Sequence, residues 1–161
     1  MPRPRTNSLP TRIGAPAVQS TPSLLNEAYT RLRAASKAFE HACGVKSLGP
    51  LHTWMRSFGS RLDAMAGVLQ DEGARSRKTF VESAAKLYED AACESPLTLL
   101  KEAIAVQDDL LATYEAMTER LDMDAELYEI ITEQYAELVE VRDDMKDLRR
   151  EYLTFWSTHT A

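Results

Sequence analysis

The sequence predicts an all-α protein: an antiparallel four-helix bundle, ferritin-like, with a short extra helix in the crossover between its second and third helices. Two observations predict it. Apolar residues recur at alternating spacings of three and four along four long segments, the repeat that lines one face of a helix. Those segments are bounded by Ser/Thr-Pro, Gly and Asp, residues that start and stop helices. No segment is a strand candidate of any strength.

The first helix is predicted over residues 23–43. Thr21 is placed as its N-cap and Pro22 at the first helical position, where a missing N–H leaves nothing unsatisfied. Leu25, Ala28, Leu32, Ala35, Phe39 and Ala42 make its stripe, and Gly44 supplies the stop. Ser47 to Pro50 restarts the chain. A second helix over 50–72 follows, with Leu51, Met55, Phe58, Leu62, Met65 and Leu69 inward, Trp54 flanking them and Gly73 at the end. The short connection makes these two helices antiparallel.

Residues 74–95 read as a long crossover. Phe80, Ala84, Leu87, Tyr88 and Ala91 suggest one helical segment within it. Ser95-Pro96 repeats the cap-plus-proline device and opens a helix over 96–121, striped by Leu100, Ala103, Gln107, Leu110, Tyr114, Met117 and Leu121. Asp122 and Asp124 offer caps for the last helix, 124–156, whose stripe runs Leu127, Ile131, Gln134, Leu138, Val141, Met145, Leu148, Tyr152 and Phe155. That stripe spans roughly 40 Å at 1.5 Å per residue. The bundle domain is therefore residues 23–157.

Ahead of it, residues 1–22 hold five of the seven prolines, Arg3, Arg5 and Arg12, and no acid. So polar a segment buries too little apolar surface to offset its ordering entropy, and it reads as a disordered basic arm. The arm carries +3, and the remaining 16 basic and 25 acidic residues leave the domain at −9. A domain of that sign repels phosphate backbones, which argues against nucleic-acid binding. The basic arm suits an acidic partner. No apolar run approaches the roughly 20 residues that cross a bilayer, and no secretory signal is evident, so a cytoplasmic setting is expected. Cys43 and Cys93 form no CxxC pair and read as reduced thiols.

Gln107 and Gln134 are the polar entries on the stripes of the last two helices. Each lies a similar distance from the intervening turn, so the sequence predicts a buried amide pair, bonded directly or through water, that fixes register. A di-metal centre in such a bundle needs Glu-x-x-His motifs. The histidines are His41, His52 and His159, and Ala38, Gly49 and Trp156 stand three residues before them. Asp108 and Asp109 turn away from the core onto a solvated face. No nucleophile triad, phosphate-cradling loop or dinucleotide fingerprint is present, and no cofactor is expected.

Four stretches, "LLNEAYTRLRAASKAF", "LDAMAGVLQDEG", "VQDDLLATYEAM" and "EQYAELVEVRDDMKDLRR", give the chain a further character. It resembles a bacterial family of ferritin-like four-helix-bundle proteins catalogued as a domain of unknown function, from about Leu24 to Glu151. The resemblance implies a Glu at the position of Gln107 and a His at that of Arg142, so two potential ligands are replaced here. It implies a fold and no activity. The leading expectation is a non-enzymatic bundle acting by association, as a homodimer or with a protein partner, with Phe155 and Trp156 as a contact surface. The alternative is a metal-binding or stress-related protein using Glu102, Asp108, Glu133 and Glu137.

Overall fold

A computed structural model describes residues 20–44, 51–75, 78–120 and 122–159, with the backbone alone at 78–85 and 155–159. Among these residues the structure is all-helical: α1 Thr21–Ala42, α2 Leu51–Asp71, α3 Lys78–Glu94, α4 Pro96–Thr118 and α5 Ala125–His159. Residues 1–19 of the predicted arm, the Ser47–Pro50 restart, Leu121 and the side chains of Phe80, Ala84, Phe155 and Trp156 lie outside what is described.

The helix boundaries follow from local chemistry. Ser20, not Thr21, is the N-cap of α1: its hydroxyl accepts from the Ser23 amide at 3.2 Å, and Thr21 and Pro22 belong to the helix. Thr21 is thereby freed to donate to Asp122 Oδ1 at 3.1 Å. Ser95 caps α4 as predicted, accepting from the Thr98 amide at 3.0 Å. Asp124 caps α5, accepting from the Leu127 amide at 2.9 Å. At the end of α2, Gly73 takes φ +98°. The Ala74 amide then reaches back to Leu69 O at 3.1 Å and the Gly73 amide to Gln70 O at 2.9 Å. That double closure needs a left-handed residue, which glycine adopts without a Cβ penalty.

Helix directions follow from contacts at the ends. The Phe39 and Phe58 rings meet at 5.9 Å, while the Arg75 amide donates to Asn26 Oδ1 at the other end, so α1 and α2 are antiparallel. The edge of Tyr88 meets Phe39 at 5.1 Å, which carries α3 back alongside α1 in the same direction. The Thr21–Asp122 bond brings the end of α4 to the start of α1. Helix α5 reverses again, antiparallel to both α4 and α2. The α1–α3 packing is the most extensive of the fold, and α3 also packs on α4. The crossover segment is therefore a full 17-residue helix packed against both α1 and α4, more than a short accessory.

Small residues make this possible. Ala34, Ala35, Ala38 and Ala42 of α1 and Ala91 and Ala92 of α3 are buried. Gly59 of α2 lies so near α1 that an added Cβ would stand 3.2 Å from Phe39 Cβ. All six predicted stripe residues of α1 and all six of α2 are buried, as are those described on α4 and those of α5 through Leu148. Leu87, assigned to the inner face of α3, is instead exposed, and Tyr88 and Ala92 take its place in the core. At about 1.5–3 kcal/mol for each large side chain removed from water, this contiguous core is the main stabilising term.

Candidate functional site

Polar side chains enter the core where α2, α4 and α5 meet. Gln107 is 1% exposed and Gln134 7%. They do not pair with each other. Gln107 Nε2 donates to the Leu138 carbonyl at 3.3 Å. Gln134 Nε2 donates to the Met65 carbonyl at 3.1 Å, and its Oε1 accepts from the Tyr114 hydroxyl at 2.6 Å. The reason is the tilt of Cα–Cβ bonds toward the N-terminus of their own helix. Across an antiparallel pair, side chains rooted at equal heights lean apart. They meet when the α4 residue is rooted nearer the connecting turn than its α5 partner, as Tyr114 is relative to Gln134 and Glu115 relative to Tyr135, bonded at 2.9 Å.

Tyr114 was assigned to packing from the sequence; it is also the hydrogen-bonding partner that Gln134 needs. Burial, and secondarily the charge of Glu137, pushes its phenol well above the ordinary value. Tyr88 behaves likewise, through burial first and Glu102 second, and among the described residues its hydroxyl has no hydrogen-bond partner. Both phenols are therefore protonated throughout the physiological range, and Tyr114 is the one that donates.

Around this core runs an arginine-rich rim. Arg61 of α2 faces Glu137, Glu140 and Asp144 of α5 at 3.3, 3.0 and 3.6 Å. Their spacing of three and four puts all three carboxylates on one face of α5. Arg142 faces Asp108 of α4 at 3.4 Å and Asp143 at 3.7 Å. Helices α2 and α5 are joined through these long side chains and Gln134 more than by close backbone approach.

The four carboxylates of the metal reading are dispersed. Glu102 is half-buried beside Tyr88, Asp108 is exposed and paired with Arg142, Glu133 is exposed, and Glu137 is held by Arg61. Among the described residues no three His, Cys, Asp or Glu side chains gather as a metal cage would. Asp108 and Asp109 both face solvent, as their positions one and two residues past the stripe predict. Cys43 and Cys93 are free thiols. No described helix is long and apolar enough to cross a membrane.

The surface carries a second feature, at the end of α5 and the start of α2. Trp54, stacked at 5.8 Å against Phe58, is 44% exposed, and Leu153 on α5 is 39% exposed. The ion pairs of Arg61 and the Gln134–Met65 bond set the register of α2 on α5, and the α4–α5 bonds set that of α4. Both registers leave α5 running at least a turn and a half beyond the first residues of α2 and α4.

No protein-family model, no curated protein and no solved structure matches this chain.

Proposed function

We propose that the protein is a non-enzymatic, ferritin-like helical bundle that works by association, through the projecting end of α5 together with Trp54 of α2. The carrying observation is the overhang. Among the described residues no other helix flanks this end of α5; it bears the exposed Leu153, and its sequence continues with Phe155 and Trp156, apolar residues that a second copy would bury. The core points the same way, since its amides and the Tyr114 hydroxyl are engaged in joining helices. The ferritin-like arrangement is supported by helix direction: α1 and α5 run one way, α2 and α4 the other, and α3 returns the chain between them. A cytoplasmic setting belongs to this reading.

Light scattering coupled to size-exclusion chromatography tests it. A dimer at high micromolar concentration that dissociates in Leu153→Asp and Trp156→Asp supports the proposal. A monomer at every concentration overturns it.

The helix directions also favour a second reading, a ferritin-like metal protein with an atypical carboxylate site. Metal analysis of protein purified without chelator separates the two. Stoichiometric iron or manganese, lost in Asp108→Asn or Glu137→Gln, would replace the first reading with the second.

A further inference from the structure

At the opposite end of α5 from the overhang, a groove of about 780 Å³ lies between the last turn of α4 and the first turns of α5. It is lined by a stripe on α5, Tyr128, Thr132, Tyr135 and Val139, and by Glu115 of α4 and Glu119, the residue that caps the C-terminus of α4. Tyr128 is 44% exposed, and among the described residues no ring stacks on it. Among the described residues, neither glutamate is in an ion pair. Glu115 accepts from the Tyr135 hydroxyl within it, so the groove offers aromatic faces and carboxylates side by side.

We propose that the chain's own N-terminal segment, residues 1–19, docks in this groove. Three observations converge on that occupant. The segment joins the fold at the right place, because Ser20 precedes Thr21, whose hydroxyl is bonded to Asp122 in the α4–α5 connection. Its charge is complementary: Arg3, Arg5 and Arg12 with no acid. Its chemistry suits tyrosines, since proline rings present rigid apolar edges that aromatic grooves bind, and guanidinium planes stack on aromatic faces.

Reach is ample. Nineteen residues extend to roughly 60 Å, whereas the stripe from Tyr128 to Val139 is only about 16 Å long. Tethering so close to the site gives an effective concentration in the millimolar range, so weak intrinsic contacts suffice. The docked segment covers Tyr128 and neutralises the two glutamates. This inference is independent of association through the far end of α5.

The test uses the full chain, isotopically labelled, with Cys43→Ser, Cys93→Ser and Ser8→Cys, and a nitroxide on the new thiol. Amides of Tyr128, Thr132 and Tyr135 should relax several-fold faster than those of Leu62 or Leu153. The effect should vanish in Glu115→Gln/Glu119→Gln, which alters two exposed side chains and leaves the helical circular dichroism unchanged. It should also fade in 1 M salt, where the screening length is about 3 Å. Enhancement absent from the groove, or insensitive to the glutamates, overturns the proposal. Equal enhancement when the nitroxide sits on a separate, unlabelled chain overturns it too, because the occupant is then a second copy's segment.

Discussion

The Tyr114 hydroxyl donates to Gln134 Oε1 at 2.6 Å across the α4–α5 interface, and Gln134 Nε2 passes the connection on to the Met65 carbonyl of α2. One buried amide therefore ties three helices together. Neither group reaches water, so each depends on the other for satisfaction.

Tyr114→Phe should consequently destabilise the fold by about 1–2 kcal/mol, because it strands Gln134 Oε1 in the core. Gln134→Leu should have a similar effect by stranding the hydroxyl. The double variant should fall well short of the two losses combined, since it leaves neither group unpaired. Urea denaturation of the four proteins provides the cycle, and additive losses would show that the pair is uncoupled.

Gly67, inside α2, and Gly73, just past its end, should respond in opposite directions to alanine. Gly73 occupies φ +98°, so Gly73→Ala should cost about 1 kcal/mol. Gly67 is inside the helix, where an added Cβ meets nothing within 4 Å. Gly67→Ala should raise stability by about 0.5–1 kcal/mol, because it removes backbone freedom from the unfolded chain. Thermal unfolding midpoints check both signs.

The buried phenols set an alkaline limit. A phenol whose folded pKa is raised contributes stability that is complete below the ordinary value near 10 and is lost as pH rises beyond it. Tyr88 and Tyr114 are both shifted upward, chiefly by burial. Ultraviolet titration should therefore find these two of the six tyrosines silent until the protein unfolds above pH 10. In Tyr114→Phe, only one silent phenol should remain.

Arg61 gives an electrostatic prediction. Its side chain is 27% exposed and faces three carboxylates of α5, but contacts so near water are screened. Arg61→Gln should lower stability by about 0.5–1.5 kcal/mol, a difference that narrows in high salt. Denaturation in low and high salt measures both quantities.

How much of this could be read from sequence depends on the range of each interaction. The stripes of α1, α2, α4 and α5, the Ser95 and Asp124 caps and the Gly73 stop are local patterns, and each appears where its spacing puts it. The second buried face of α1 was not evident, because alanines such as Ala34 and Ala38 suit core and surface alike until α3 is seen against them. The importance of α3 itself was underestimated for the same reason. Gln107 and Gln134 are legible as buried, but their direct partners, the Leu138 and Met65 carbonyls and the Tyr114 hydroxyl, are not, since counting residues from a turn gives the height of a Cα and omits the lean of the side chain. The Arg61 cluster and the Tyr128 groove arise only from the register between distant helices, which no local pattern encodes.

Gln107 offers the sharpest separation of the bundle reading from the metal reading. It is 1% exposed and its amide donates to the Leu138 carbonyl. Gln107→Glu would put a carboxyl there with no cation in contact. Burial favours its neutral form, so its folded pKa should rise. Stability should then be close to that of the parent in acid and fall as pH climbs through the raised value, by about 2–4 kcal/mol at neutrality. If the core is closed to ions, adding manganese, iron or zinc at pH 7 should restore none of that loss. If instead a metal raises the unfolding midpoint of Gln107→Glu, and does so further with Arg142→His, the position belongs to a ligand-binding core. The parent's amide is then the neutral substitute for a ligand.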